Sequence, residues 1–197
     1  PELINRANEN SKIMGLKAKF VEGDAEFLPY RENEFDIVLS QYGHMFAPRP
    51  SVVVKELARV LKPGGILAFS TWPKELFMGK FFKLIESFSQ PLPPEVASPV
   101  LWGDMAVIED RLRDHFDHIE FARDTMFAPT MSPAHMLKLF EKNAGPLANL
   151  VKALADDPTK LSNLRNAALV LIEKFFSNNF LRQDFLMTRC VKTVSYT

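Results

Sequence analysis

FVEGDAEFLPYRENEFDIVLSQYGHMFAPRPSVVVKELARVLKPGGILAFSTW, residues 20–72, carries the pattern on which the fold turns. Two short apolar runs, 35–39 and 66–69, flank one amphipathic segment. Continuous apolar runs of this length suit strands buried on both faces of a parallel sheet. Parallel neighbours need a long crossover, and the helix between them supplies it. Val53, Leu57, Val60 and Leu61 recur at helical spacing and form the face expected to pack on the sheet. Lys55, Glu56, Arg59 and Lys62 are expected to face water. Ser51 is the expected cap, with Pro50 at the helix entry. Pro63-Gly64-Gly65 ends the helix and turns the chain into a strand over 66–71. Ligands of open α/β sheets bind beyond the carboxyl ends of the strands. Those ends carry Gly23-Asp24-Ala25, Ser40-Gln41-Tyr42 and Ser70-Thr71-Trp72.

Working outward, residues 2–14 read as a helix with Leu3, Ala7 and Met14 on one face and Gly15 as its stop. Residues 17–22 read as a short strand. A helix over 76–89 holds Phe77, Met78, Phe81 and Phe82, more large side chains than one face buries, and is expected to cover a cavity. The Pro-rich stretch 90–103 reads as an irregular loop, followed by a helix over 104–115. Residues 119–127 have strand composition. Three helices with apolar stripes follow, over 133–143, 146–155 and 158–178. The last strand, 183–194, is expected to pair antiparallel with 119–127 and close the sheet edge. The division expected is a core of residues 1–127, a helical cap of 128–182, and a return strand of 183–197.

Composition narrows the functional classes. With 197 residues and 47% apolar content, the chain can bury one substantial core. Charges balance at 24 basic and 24 acidic residues, without the basic excess of a general nucleic-acid binder. The apolar runs are too short to span a bilayer. Cys190 is the single cysteine, so an internal disulfide is excluded, and the chain fits a reducing cytoplasm. His115 and His118 lack a Cys or Glu partner at metal-ligand spacing, so no metal site is expected.

GDAEFLPY, FDIVLSQYGHMFAPRP, the helix ending LARVLKPGG, and ILAFSTW, in that order, resemble the central part of the class I S-adenosylmethionine-dependent methyltransferases. The group most similar is that of the ubiquinone and menaquinone C-methyltransferases. The resemblance implies a Rossmann-like α/β sheet with a helical cap inserted before the last strand. It implies S-adenosyl-L-methionine as cofactor and a small-molecule substrate. It also implies two strands and a Gly-rich loop ahead of Pro1, so that the strands at 17–22 and 35–40 expose edges open to a second copy in a homodimer.

Residue by residue, the resemblance sets Asp24 against the adenine amino group and the backbone of Ala25 against a ring nitrogen. The alternative reading of Asp24 is a helix-cap or turn aspartate. Leu3 is set against the adenine ring, or is an ordinary core leucine. Ser40 and Gln41 line the methionine side. Gly43 permits an unusual backbone angle or a close approach. His44 reads as a pocket wall, as a loop residue in solvent, or as a base toward a substrate hydroxyl. Tyr42 is the other candidate base. His44, Phe46, Trp72 and Phe77 form the expected substrate pocket, and Trp72 either stacks on a planar acceptor or packs beneath the next helix. The expected function is methyl transfer to a small apolar or aromatic molecule. Two alternatives stand beside it: a non-catalytic methyltransferase-like binding or assembly protein, and a nicotinamide-dependent oxidoreductase on a similar sheet.

Overall fold

A computed structural model describes residues 2–91, 93 and 96–194. Helix α1 (Glu2–Ile13) precedes an extended segment. Strand β1 (Phe35–Gln41), a 3-10 turn (His44–Phe46), helix α2 (Pro50–Val60) and strand β2 (Leu61–Thr71) form the βαβ unit that the apolar runs predict. β1 and β2 pair in parallel, with Ile37 opposite Ile66 and Gln41 opposite Ser70. Helix α3 (Phe77–Phe88), a 3-10 turn (Pro99–Gly103), helix α4 (Met105–Leu112) and strand β3 (Phe116–Pro129) follow. Helices α5 (Pro133–Asn143), α6 (Gly145–Ala153) and α7 (Pro158–Glu173) lead to strands β4 (Phe176–Ser177) and β5 (Phe180–Lys192).

The sheet runs β1-β2-β5-β3, and β4 pairs with β5. β5 lies antiparallel to both neighbours, with Cys190 opposite Leu67 and Thr188 opposite Phe121. It therefore sits inside the sheet instead of closing its edge, and β3 is the edge. Flanked on both sides, β5 buries Leu186, Thr188 and Cys190 almost completely.

Several local expectations are corrected. Residues 17–22 form no strand. A strand exists through its ladder partner, and among the described residues none lies alongside them. α1 forms, and Gly15 ends it at φ +64. Its expected apolar face does not pack, because Leu3 and Met14 are 81% and 68% exposed. The N-cap of α2 is Arg49, without a side-chain cap, and not Ser51. The helix over 158–178 stops at Glu173, because Phe176 and Ser177 are taken into a strand that turns back through Asn178 and Asn179, both at positive φ. That pair makes a two-residue turn suited to a hairpin, and it folds β4 back onto β5.

Two apolar clusters hold the molecule. One packs α2 and α4 against the sheet through Val53, Leu57, Leu67, Phe69, Trp102, Ile108 and Leu186. The other joins α3 to α5, α6 and α7 through Phe77, Phe81, Met136, Leu147, Leu164 and Ile172. α3 serves both. Phe82 faces the sheet cluster, while Phe77, Phe81 and Ile85 face the helical one. That double duty explains its excess of large side chains, which the sequence reading assigned to a cavity cover. The segment leaving β2 is squeezed between two glycines. A Cβ on Gly103 would lie 1.9 Å from the Trp72 carbonyl oxygen, and one on Gly79 would lie 2.3 Å from that of Pro73.

Candidate functional site

Along β1, from Phe35 to its carboxyl end at Ser40, a cavity of about 460 Å³ opens between that strand and the loop of residues 23–30. Val38, Leu57 and Val60 give it an apolar floor, and Ala25 and Leu28 an apolar side. Its polar rim comes from Asp24, Ser40 and His44. Volume and lining match the usual small-molecule site, a mostly apolar hollow with a few placed polar groups.

The loop is held by α2. The Glu56 carboxylate accepts the Leu28 N–H at 2.8 Å. Arg59 donates to the carbonyls of Tyr30 at 2.8 Å and Leu28 at 3.1 Å, and its fork also engages Glu56. At the other end, Glu26 accepts from the backbone and guanidinium of Arg49. These pairings hold the Glu26 and Glu56 carboxyls below the usual carboxylate range, with the arginine hydrogen bonds as the main cause. The sequence reading placed Glu56 and Arg59 on a solvated face. Their side chains are instead 14% and 32% exposed. The E-x-x-R spacing on the loop-facing side of α2 is the signal that was available.

Asp24 combines the two roles left open for it. Its Oδ1 accepts the Glu26 N–H at 2.9 Å, the bond of an aspartate turn. It also borders the cavity, as does Ala25. Ser40 lies on the same border and bonds to His44, whose Nδ1 is 2.9 Å from its Oγ. Gln41 is exposed at the strand end, outside the cavity wall. Leu3 stands in solvent, on a helix that contributes nothing to the lining. Thr71 is fully buried, with an unpartnered Oγ1.

His44 is 3% exposed and wedged edge-on against Phe69 and Trp102, at centroid distances of 4.5 and 4.6 Å. Burial drives its pKa down to about 4, and the Arg111 charge pushes the same way. The imidazole is therefore neutral at pH 7 and weakly basic. That fits a wall that positions Ser40, and suits a general base poorly. Tyr42 adopts φ +61, taking the left-handed backbone expected of Gly43, whose φ is −73. Its ring stacks on Trp72 at 4.0 Å and 3°. Burial raises its phenol pKa against the opposing bond to Ser70, so it is reluctant to ionise.

The four expected substrate-pocket residues are not brought together. Trp72 packs on Tyr42 within the sheet core. Phe77 is fully buried among Phe81, Phe140 and Phe175. Phe46, half exposed, points away from His44 toward a second cavity of about 410 Å³. A three-residue 3-10 turn sends neighbouring side chains in different directions, so one loop serves two hollows. Among the described residues no group of three or more His, Cys, Asp or Glu side chains is placed to hold a metal.

Residues 1–69 match the model of the methyltransferase domain family. An uncharacterized protein of Mycobacterium tuberculosis is 31% identical over 188 residues, which make up 95% of this chain and 69% of that protein. The chain belongs to the methyltransferase-domain family. A SAM-dependent methyltransferase from Thermotoga maritima shares the fold of this family member with a TM-score of 0.52, at 18% identity over 95% of this chain and 70% of that one. The YcgJ protein of Bacillus subtilis does so with a TM-score of 0.53, at 17% identity over 98% of this chain and 80% of that one. The α/β architecture of the chain thus agrees with its Rossmann-like neighbours. No helix among the described residues is long and apolar enough to cross a membrane.

Proposed function

We propose that the protein transfers a methyl group from S-adenosylmethionine to a small apolar or aromatic molecule. The observation that carries the reading is the meeting of Asp24, Ala25 and Ser40 around one apolar hollow that reaches the carboxyl end of β1. The residues present suit a nucleoside. With Oδ1 engaged by its turn, Oδ2 of Asp24 is the acceptor offered to an exocyclic amine. Ala25, Leu28 and Val38 offer apolar contact to a flat base. When bound, S-adenosylmethionine supplies a methyl group on a sulfonium, already activated for displacement. The chain's own contribution is then binding and orientation, an effect worth on the order of 7–11 kcal/mol in the best intramolecular cases. Leu3 has no part in this reading.

The helical layer of residues 128–182 is included in the proposal as a cover on the acceptor side. Its supporting observation is that Pro146 of α6 reaches the second cavity. Kinship with the quinone-pathway C-methyltransferases is the narrower expectation, so a quinol belongs among the acceptors assayed.

Calorimetry with S-adenosylhomocysteine tests the reading. The wild-type protein is expected to bind it, and Asp24→Ala to bind about tenfold more weakly, the scale of one hydrogen bond to a charged group. Stabilisation by nicotinamide cofactors alone would overturn the choice of cofactor. Binding with no turnover across an acceptor panel would favour the non-catalytic reading.

A further inference from the structure

The second cavity lies between the Phe46 turn, the C-terminal half of α3 and the start of α6, and it is independent of the Asp24 hollow in every lining residue. Phe46, Phe82, Ile85, Pro99 and Pro146 make it apolar. Phe46 and Phe82 meet edge to face at a centroid distance of 5.7 Å. At about 410 Å³ it is large enough for a molecule of one or two rings.

One charge stands in this apolar lining, the carboxylate of Glu86. Its Oε1 accepts from the Ser98 hydroxyl at 2.5 Å, which fixes the side chain against the wall. The second oxygen has no hydrogen-bond partner among the described residues, and Glu86 makes no ion pair with any of them. Other carboxylates of the fold, those of Glu26, Glu56, Asp104 and Glu141, each hold a cation. A half-buried, anchored and unpaired carboxylate in an aromatic hollow is complementary to a cation carried on an apolar body.

We infer that this cavity is a binding site for a small apolar amine, with the ammonium group on Glu86 and the apolar body against Phe46 and Phe82. The ammonium takes the free oxygen of Glu86, and the apolar body packs against the two phenylalanine rings. A carboxylate on the same body is repelled, and a neutral alcohol forms only an ordinary hydrogen bond. The inference rests on the cavity alone and does not require the methyl-transfer reading.

Three probes of one shape separate the terms: 2-phenylethylamine, 2-phenylethanol and 3-phenylpropionate, titrated against the whole protein by ligand-observed NMR. The amine is expected to bind at least about tenfold more tightly than the alcohol, the scale of a single charge-assisted hydrogen bond, with the carboxylate weakest. Glu86→Gln keeps an oxygen for Ser98 and is expected to erase the preference for the amine. Phe46→Ala, on a half-exposed side chain, is expected to weaken amine and alcohol alike. Thermal unfolding of each variant is recorded in parallel, and S-adenosylhomocysteine binding serves as a separate check on the other cavity. Equal affinities for the three probes in the wild type would overturn the inference. So would an amine preference that persists in a folded Glu86→Gln protein.

Discussion

β1 and β5 are both strands of one sheet and both rich in apolar residues, yet they have opposite fates. Leu186 and Cys190 of β5 are sealed between neighbours on both sides, while Leu39 and Ile37 of β1 are 75% and 55% exposed. Composition does not separate the two strands; position in the ladder does. Among the described residues β5 has a partner strand on each side and β1 on one. The candidate site lies beside β1, where the loop of residues 23–30 is held by polar bonds from α2 and by Ala25 and Leu28 packed on the sheet cluster. The sealed core lies at the centre of the sheet and the candidate site at its rim, the division expected where binding loops come from the weakly protected end of a structure.

The largest contrast comes from truncating one leucine in each strand. Leu186→Ala is expected to cost about 3–4 kcal/mol, the usual range for emptying a sealed core site. Leu39→Ala is expected to change stability by less than about 0.5 kcal/mol, as for exposed surface positions. Denaturant unfolding at several protein concentrations checks both. A cost above about 2 kcal/mol for Leu39→Ala that grows with protein concentration would break the comparison, since it would show that a second copy covers β1 in solution.

A second test uses His44, the buried group at the rim. Its folded pKa of about 4 lies below the unfolded value near 6.5, so the unfolded chain takes up a proton first as pH falls. Its contribution is therefore unchanged above pH 6.5, and stability is lost as pH drops from there toward 4. Between pH 7 and pH 5 the wild type is expected to lose about 2 kcal/mol more than His44→Gln does. A parallel pH dependence for the two proteins would show that the imidazole is solvated.

Arg59 gives the smallest effect and sharpens the comparison most finely. Arg59→Met removes two bonds to the loop and leaves Glu56 without its partner, and is expected to cost about 1 kcal/mol in stability. S-adenosylhomocysteine binding should weaken with it, because the loop is no longer held. The same substitution at the exposed Arg165, paired with Glu141, is expected to leave binding unchanged.

Much of the frame was legible before any coordinates. The runs at 35–39 and 66–69 with a helix between them suited a parallel pair, and residues 183–194 read as a strand pairing antiparallel with 119–127. The apolar stripes of α5, α6 and α7 showed in their spacing. What could not be read was partnership. Residues 17–22 have strand composition but no ladder partner among the described residues. Phe77 and Trp72 look like pocket residues until their aromatic neighbours, distant in sequence, are known. Ser40 with His44 was within reach at i, i+4, whereas the hold of Glu56 and Arg59 on the loop spans nearly thirty residues and leaves no local periodicity. Asp24, Ala25 and Ser40 were picked out as the ends of expected strands and by the family resemblance, and His44 from the loop after Ser40; all four line the candidate hollow, and Leu3, Gln41, Phe46, Trp72 and Phe77 lie elsewhere.

The passage of Trp72 and Pro73 between Gly79 and Gly103 has a consequence for anyone varying this protein. Backbone meets backbone there, so no rotamer can make room for even a methyl group. In a saturation library those two columns should be empty of survivors, alanine included, while neighbouring surface columns fill. Because Tyr42 rests on Trp72, two atoms' worth of missing side chain, one in a helix and one in a turn, set the placement of the Tyr42 ring.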